Sequence, residues 1–283
     1  MKLLRYGMSG AEKPGCLDVY GKIRDLSQHI PDITGDILTP EGLDYLHGLE
    51  MESLPLVSGE PRLGAPIHRV GKFLCIGLNY SDHALEMNKT PPTEPVLFSK
   101  ATSAMCGAKD DLIIPYGSTQ TDWEVELGIV IGKPAKRVPQ EAAFDYIAGY
   151  CLINDVSERH YQLHGTGQWI KGKSCDTFGP VGPWLVTKDE IPDPQNLTLW
   201  LSVDGKRYQE SHTRNMIFSV AFIVSYLSQF FTLHPGDIIS TGTPAGVGLG
   251  QKPEPIYLKP GQTVRLGISG LGEQEHLTVE EKI

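Results

Sequence analysis

Two glutamates stand two residues apart in the segment DWEVELGIVIG, where the rest of the sequence has the pattern of a buried strand. Alternate residues of a strand share one face, so Glu124 and Glu126 lie together. The opposite face is fully apolar and holds Trp123, Val125, Leu127, Ile129 and Ile131. Like charges at this spacing repel, and burial strengthens the repulsion unless a cation compensates. The glutamates must therefore either face solvent or share a cation.

The spacing alone leaves both interpretations open. Most acidic side chains are exposed, which favours a half-exposed strand with two solvated glutamates. Alternatively, the pair are metal ligands, and hard carboxylate oxygens suit Mg²⁺, Mn²⁺ or Ca²⁺ rather than zinc. Asp155 follows the apolar strand in LINDVSERH and would supply a third carboxylate to a Mg²⁺ shell completed by water. The competing interpretation is that Asp155 or Ser157 caps a helix over ERHYQL.

Three further polar segments carry candidate chemistry. In NYSDHALEM, His83 and Glu86 would share a helix face, where the carboxylate could orient the imidazole; a solvated His–Glu pair is the alternative. In QWIKGKS, Lys171 and Lys173 could reach a carboxylate or oxyanion, or be surface lysines. The loop STGTPAGVG could hold an anion with backbone N–H groups and the Thr243 hydroxyl. It matches neither a phosphate-binding P-loop nor a dinucleotide fingerprint.

The organisation of the chain predicts a β-rich α+β fold without repeating βαβ units. Short apolar runs such as FLCIGL, CLINDVS and DIISTG indicate strands, and two hairpins are expected in LTLWLSVDGKRY and TVRLGISGLGEQEHLTVEE. Helices are predicted after Thr39, in PQEAAFDYIAGY, and as a core helix within residues 216–233. Prolines between residues 55 and 66 mark a linker, which divides a small N-terminal domain (1–69) from a larger domain (70–283).

Composition excludes several classes of function. The net charge of −9 and the lack of a basic run argue against nucleic-acid binding. Serines and a glutamine interrupt the longest apolar stretch, residues 216–233, so no membrane span is expected. The N-terminus lacks the apolar core of a signal peptide. Five scattered cysteines without a CxxC pair fit reduced thiols in a cytoplasmic protein.

The order of the motifs is more specific than any one of them. FLCIGLNYSDHALE, PVLFSK, DWEVELGIVIG, GYCLINDVSERHYQ, QWIKGKS and GDIISTGTPAGVG together resemble the fumarylacetoacetate hydrolase superfamily over residues 71–283, in its acylpyruvate hydrolase or diketo-deoxy sugar acid hydrolase-like branch. The resemblance implies a mixed β-sandwich roll preceded by a small N-terminal α+β domain. It also implies a homodimer and a divalent cofactor, typically Mg²⁺, with Mn²⁺ or Ca²⁺ as alternatives.

The resemblance also assigns roles by motif. The metal ligands would be Glu124, Glu126 and Asp155; the catalytic residues would be His83, Glu86 and Lys173; and the substrate contacts would be Gln162, Thr243 and Lys100. The implied reaction is hydrolysis of a carbon–carbon bond in a small 2,4-dioxo acid, with release of pyruvate. The alternative is isomerisation or decarboxylation of a 2-oxo dicarboxylic acid in aromatic catabolism.

Two positions depart from the resemblance. Acylpyruvase-type members often have arginine where this chain has Leu78, which removes one possible contact to a substrate carboxylate or oxyanion. The aspartate motif often ends Arg-Asp, whereas here it ends Arg159-His160. We expect the second change to leave the metal ligands intact and to alter the surroundings of the lid or the dimer.

Overall fold

The computed structural model describes residues 1–282, and strands dominate it. The strands are β1 (Lys2–Tyr6), β2 (Lys13–Leu17), β3 (Ile23–Asp25), β4 (Leu63–Gly64), β5 (Phe73–Gly77), β6 (Val96–Lys100), β7 (Met105–Cys106), β8 (Leu112–Ile114), β9 (Thr121–Asp122), β10 (Val125–Ile131), β11 (Ile147–Asn154), β12 (Ser157–Glu158), β13 (Gly179–Pro180), β14 (Leu185–Thr187), β15 (Thr198–Val203), β16 (Lys206–His212), β17 (Ile238–Ser240), β18 (Thr263–Ile268) and β19 (Gly272–Glu280). The helices are α1 (Pro40–His47), α2 (Ser81–Glu86), α3 (Arg159–Leu163), α4 (Ile170–Lys173) and α5 (Val220–Phe230). This composition confirms the predicted β-rich α+β fold.

Ten strands form one large mixed sheet in the order β3-β2-β1-β14-β11-β10-β17-β5-β6, with β4 paired to β1. Strand β10 lies inside this sheet, antiparallel to β11 on one side and to β17 on the other. Five strands form a second sheet in the order β16-β15-β18-β19-β8. The strand that carries the two glutamates is therefore central, and both of its edges are paired over part of its length.

Apolar side chains bury the large sheet on both faces. One core contains Leu127 and Ile129 of β10 together with residues of β15, β18 and helix α5. A second core places Val130 and Ile153 against N-terminal residues such as Leu3 and Leu38. Every residue of β10 is buried as a result, and the predicted division between an apolar face and a face that carries the glutamates is confirmed.

Local sequence signals explain most of the element boundaries. The turn between β15 and β16 consists of Asp204 and Gly205, both with positive φ (49° and 77°), as a two-residue hairpin requires. Ser219 caps helix α5 by accepting a hydrogen bond from the N–H of Phe222 at 3.2 Å. Helix α5 has 11 residues, fewer than the apolar segment suggested, and no helix within residues 1–282 has the length and apolarity to cross a bilayer.

One predicted helix is wrong in extent. The segment PQEAAFDYIAGY forms a 3₁₀ helix only over Gln140–Tyr146, and strand β11 already begins at Ile147. The pairing of β11 with β10 and β14 overrides the helical periodicity, because Ile147, Ala148 and Tyr150 are buried by the sheet. Tertiary packing decides the state of this segment.

The N-terminal strands extend the same sheet that carries the glutamates. Strand β1 pairs antiparallel with β14, through Leu3 and Leu185, and β2 and β3 follow at the sheet edge. The division into domains 1–69 and 70–283 stays a prediction. If it holds, the two domains share one hydrogen-bonded sheet.

Candidate metal centre and active site

Three carboxylates converge at one end of the β10–β11 pair. Glu124 directly precedes β10, Glu126 lies within it, and Asp155 directly follows β11. The register opposes Val125 to Asn154, and the N–H of Asp155 donates to the carbonyl of Glu124 at 2.9 Å. One oxygen from each carboxylate lies within 4.8 Å of the other two. Antiparallel pairing thus gathers ligands that are about 30 residues apart in sequence.

Burial decides between the two interpretations of the glutamates. Glu124 is 6% exposed, Glu126 2% and Asp155 0%, so a solvated strand face is excluded. Asp155 is also not a helix cap. Helix α3 begins at Arg159, and its capping side chain is Glu158, which accepts from the N–H of His160 at 3.2 Å. The carboxylates are buried together, which demands compensating charge.

Two lysines supply part of that charge. Nζ of Lys173 lies 2.7 Å from Oε2 of Glu124 and 2.7 Å from Oδ2 of Asp155. Burial opposes protonation of Lys173, but Asp155 and Glu124 outweigh it and hold its pKa above the ordinary value. Lys171 is exposed, so the motif lysine is Lys173. Lys100 is 3% exposed and pairs with Oδ1 of Asp155. It lies outside the cavity wall described below, and its predicted substrate contact stays a prediction.

Arg159 is the main site residue that the sequence analysis did not select. It is buried, and its Nη2 lies 2.6 Å from Oε1 of Glu124. Its Nε donates to Asp122 at 2.8 Å, and its Nη1 donates to Gln162 at 2.9 Å. The sequence did contain a signal for this role, because a buried acidic cluster needs cations and an arginine stands four residues after Asp155. An aspartate also stands two residues before Glu124 and could pair with that arginine.

Glu126 differs from the other two carboxylates because no cationic side chain within residues 1–282 pairs with it. Its Oε2 accepts hydrogen bonds from the Ser240 hydroxyl at 2.5 Å and the Gly242 N–H at 2.8 Å. Its Oε1 accepts none from the described residues. Burial raises the pKa of Glu126 well above its ordinary value, and the charges of Asp155 and Glu124 add to that effect. Burial opposes ionisation of Glu124 as well, but Lys173 and Arg159 hold its pKa below the ordinary value.

This donor set fits a hard divalent cation. Three convergent carboxylates offer only oxygen donors, which Mg²⁺, Mn²⁺ and Ca²⁺ prefer. The free Oε1 of Glu126 and the repulsion that raises its pKa indicate that positive charge is still needed at this point. Glu124, Glu126 and Asp155 would hold the ion, while Arg159 and Lys173 each contact one oxygen of Glu124 and Lys173 also contacts Asp155.

The predicted His–Glu pair stands opposite this cluster on the short helix α2. Nδ1 of His83 lies 3.0 Å from Oε2 of Glu86, and His83 is 8% exposed, which excludes a solvated surface pair. Because a carboxylate only accepts, Nδ1 carries the hydrogen and Nε2 keeps its lone pair. His83, Glu124 and Glu126 line one cavity. A molecule bound in this cavity would therefore contact both His83 and the two glutamates.

The glycine-rich loop binds anions as predicted, but the anions are carboxylates of this chain. Gly242 donates to Glu126, Gly246 to Glu86 at 2.8 Å, and Gly248 and Leu249 to Asp122 at 2.6 and 2.9 Å. The hypothesis of a cradle for an external anion is corrected accordingly. The same loop therefore positions three carboxylates: Glu126 of the candidate metal site, Glu86 of the His–Glu pair, and Asp122, which pairs with Arg159.

The cavity has a polar floor and a mainly apolar wall. Its polar lining is His83, Glu124, Glu126, Arg159, Gln162, Lys173, Thr243 and Lys89, and its apolar lining includes Leu78, Met87, Phe98, Leu163, Trp169 and Val247. Gln162 and Thr243 are thus placed where a substrate could reach them. Leu78, which stands where acylpyruvase-type members often have arginine, contributes an apolar side chain to the cavity wall. His160, the other departure, is exposed and packs against His164, with ring centroids 4.8 Å apart and ring planes tilted by 33°.

This chain is similar to known proteins over most of its length. The sequence profile described as the fumarylacetoacetate (FAA) hydrolase C-terminal domain matches residues 72–279. A Burkholderia multivorans protein, provisionally named a hydrolase with no substrate given, is 63% identical over 278 residues and covers 98% of this chain and 99% of its own.

Two solved structures are similar over the whole chain. Maleylpyruvate hydrolase from Sphingobium sp. SYK-6, in complex with manganese(II) and pyruvate, has a TM-score of 0.83 and 26% identity, with full coverage (100%) of both chains. The 2-hydroxyhepta-2,4-diene-1,7-dioate isomerase from Mycobacterium marinum has a TM-score of 0.76 and 33% identity, also with 100% coverage of both.

Proposed function

The chain belongs to the fumarylacetoacetate hydrolase family, and from that premise we propose that it is a divalent-metal-dependent hydrolase of small 2,4-dioxo acids. It would cleave the C3–C4 bond of an acylpyruvate or a diketo-deoxy sugar acid and release pyruvate. The observation that carries the proposal is the shared cavity, which is lined by His83 of the His83–Glu86 dyad and by Glu124 and Glu126 of the buried carboxylate triad.

The metal component of the proposal rests on the donor set. When bound by Glu124, Glu126 and Asp155, a divalent ion supplies a Lewis acid and a template for the 1-carboxylate and 2-oxo oxygens of the substrate. We propose Mg²⁺ as the ion, with Mn²⁺ or Ca²⁺ as alternatives, because all three accept oxygen ligands. The manganese(II) in the maleylpyruvate hydrolase structure supports a divalent cation in this family.

The residues of this chain supply the proton chemistry. Glu86 holds Nδ1–H of the neutral His83 imidazole, so Nε2 is the basic atom, and His83 lines the cavity. Nε2 takes a proton from water, and the hydroxide adds to C4. The C3–C4 electron pair then leaves with the three-carbon fragment as pyruvate enolate, and protonation at C3 gives pyruvate. Lys173, held protonated beside Glu124 and Asp155, adds positive charge near the developing enolate oxygen.

A second candidate is an isomerase or decarboxylase that acts on a 2-oxo dicarboxylic acid. Lys89 favours it, because this cavity-lining cation makes no ion pair with the described residues, whereas Arg159 and Lys173 are tied to carboxylates. A free lysine is suited to a second, distal carboxylate of the substrate. The name of the Mycobacterium marinum relative, a dioate isomerase, supports the same chemistry. Lys89 is equally compatible with a hydrolase that takes a dicarboxylic substrate.

A substrate screen distinguishes these reactions. The purified protein is incubated with acylpyruvates, diketo-deoxy sugar acids and 2-oxo dicarboxylic acids, with Mg²⁺ or Mn²⁺ and with EDTA as a control. Metal-dependent loss of the enol absorbance with formation of pyruvate supports the hydrolase. Release of CO₂, or migration of a double bond without pyruvate, supports the second candidate. The absence of turnover with every substrate and metal argues against both.

We also propose a cytoplasmic homodimer. The family resemblance motivates the dimer, and the five free cysteines within the described residues, four of them buried, fit a reducing compartment. Light scattering coupled to size exclusion measures the assembly directly, and a monomer mass at micromolar concentration would contradict the dimer.

A further inference from the structure

The residue between the two glutamates has an unusual set of backbone partners. Strand β17 covers β10 only at Gly128, Ile129 and Val130, so this side of Val125 has no strand beside it. The N–H of Val125 instead donates to Oε1 of Gln209 at 3.0 Å. The carbonyl of Val125 accepts from the Thr243 hydroxyl at 2.9 Å. Side chains thus satisfy both backbone groups, as burial requires.

These two side chains are also bonded to each other. Nε2 of Gln209 donates to Oγ1 of Thr243 at 2.8 Å and to the carbonyl of Pro244 at 2.9 Å. Val125, Gln209 and Thr243 therefore form a closed ring of hydrogen bonds, which we call the Val125 ring. Gln209 is 0% exposed and Thr243 is 4% exposed, so water does not compete for these bonds.

The Val125 ring joins three separate parts of the fold. Gln209 belongs to β16 at the edge of the second sheet, Val125 to β10 of the large sheet, and Thr243 to the glycine-rich loop. The same loop donates to Glu126 through Gly242, one residue before Thr243. A shift of the Val125 backbone displaces Glu124 and Glu126, because it is the residue between them.

We propose that Gln209 is a positioning residue that sets the spacing of the Glu124 and Glu126 carboxylates for the metal. Its amide is suited to this role because one end accepts from Val125 while the other donates twice. Glutamate could not make the donated bonds, and an apolar side chain could make none. Partners outside the ligand shell typically change metal affinity by about 10–100-fold when they are removed. The inference rests on the metal site of the proposed function.

The test compares Gln209 with Gln274, a second buried glutamine that also connects the two sheets by hydrogen bonds. Gln274 in β19 is also buried and bridges the sheets, because its Nε2 donates to the carbonyls of Leu152 and Gly182 at 2.9 and 3.0 Å. It contacts neither a ligand nor the residue between ligands. Mn²⁺ affinity is measured by titration calorimetry without substrate for the unchanged protein, Gln209→Met and Gln274→Met, and urea unfolding is measured for all three.

We expect both variants to lose stability and only Gln209→Met to lose Mn²⁺ affinity, by about 10–100-fold. Equal affinity losses in the two variants, or an unchanged affinity in Gln209→Met, would overturn the positioning role. Failure of the unchanged protein to bind Mn²⁺ overturns the proposed function, and the positioning role with it.

A second pair of variants covers the case in which Gln209→Met does not fold. Thr243→Val removes the hydroxyl at nearly constant shape and breaks two sides of the Val125 ring, whereas Thr243→Ser retains the hydroxyl. We expect Thr243→Val to weaken Mn²⁺ binding about 10-fold or more and Thr243→Ser to restore it. Because substrate is absent, a direct contact of Thr243 with substrate does not affect this result. Identical affinities in the two variants contradict the inference.

Discussion

The backbone N–H of Gly246 donates a 2.8 Å hydrogen bond to Oε1 of Glu86, whose other oxygen contacts His83. Gly246 has a φ of +104°, and a Cβ at this position would lie 2.0 Å from the carbonyl of Tyr208. Only glycine allows the loop to pack this closely on β16 and still present its N–H to the dyad. The orientation of the base is therefore set by a loop more than 150 residues away in sequence.

Replacing the base should separate chemistry from metal binding. We expect His83→Ala to lower kcat by about 10²–10⁴-fold, the usual contribution of a general base, with unchanged Mn²⁺ affinity. Pyruvate release under saturating metal measures the first quantity, and calorimetry measures the second. His29→Ala, an exposed histidine in the N-terminal region, serves as the control. A kcat for His83→Ala equal to that of the control would remove His83 from the mechanism.

Replacing Glu126 by glutamine removes one charge from the triad. This change should reduce the stabilisation by metal more than it affects the stability of the metal-free protein. In Glu126→Gln the amide oxygen can still accept from Ser240 and Gly242, and the repulsion from Asp155 and Glu124 is relieved. We expect a metal-free melting temperature equal to or above that of the unchanged protein. Saturating Mg²⁺ at 100 times Kd should add about 2.7 kcal/mol to the unchanged protein and almost nothing to the variant. Equal Mg²⁺ shifts in scanning calorimetry would exclude Glu126 as a ligand.

Arg159 should be costly to remove because its carboxylate partners would remain buried. We expect Arg159→Met to lower the free energy of unfolding by about 3–5 kcal/mol, the usual effect of breaking a buried ion pair. Arg265→Met is the matched control, since Arg265 pairs with Glu273 and Glu275 at 51% exposure, where such pairs contribute about 0–1 kcal/mol. Urea unfolding at pH 7 compares them, and similar losses in both variants would mean that Asp122 and Glu124 do not depend on Arg159.

Lys89 should determine the response to a distal carboxylate on the substrate. We expect Lys89→Met to raise KM for 2-oxo dicarboxylic acids by about 2–5-fold, since an exposed ion pair contributes up to about 1 kcal/mol, and to leave KM for acylpyruvates without a second carboxylate unchanged. Lys171→Met provides a control, because Lys171 is exposed and lies outside the cavity lining. Steady-state kinetics on both substrate types checks the split. Parallel changes in both KM values would assign Lys89 another role.

Tyr6 should contribute an alkaline loss of stability. Burial and the neighbouring Asp25 carboxylate raise the pKa of Tyr6 to about 12, from 10 in the unfolded chain. Between these values the unfolded state has released a proton that the folded state keeps, so stability falls as pH rises from about 10. We expect Tyr6→Phe to show a shallower decline in urea unfolding between pH 9 and pH 11. The exposed Tyr20→Phe should decline like the unchanged protein, and a Tyr6→Phe decline equal to it would contradict the assignment.

Motif order selected the three carboxylates and the His–Glu pair that the structure brings together, because these residues are chemically distinctive and fall near the ends of recognisable strands. The roles of Arg159, Asp122 and Gln209 were not predictable in the same way. The sequence does not distinguish a buried arginine from an arginine on the surface. Gln209 lies in a hairpin strand, and the only pattern that the sequence shows there is the turn. Their positions in the site arise from contacts between residues 35 to 84 apart in sequence, which no local pattern encodes.

The same distinction between local and long-range contacts explains which parts of the fold could be predicted. Period-two alternation and turn residues located the hairpins β15–β16 and β18–β19, since each is paired with its neighbour in sequence. The beginning of β11 was missed because the two apolar cores bury it on both faces and remove the alternation that would mark a strand.

The pairing of β1 with β14 also orders events during synthesis. Strand β1 leaves the ribosome about 180 residues before β14, so Leu3 and its neighbours can pair early with β2 on one edge but must wait for β14 on the other. At about 5–20 residues per second this delay lasts about 10–40 seconds, a period in which an apolar strand edge is open to other chains. Cotranslational holding by a chaperone, or slow codons placed after residue 187, would then affect yield more than any change to the catalytic cavity.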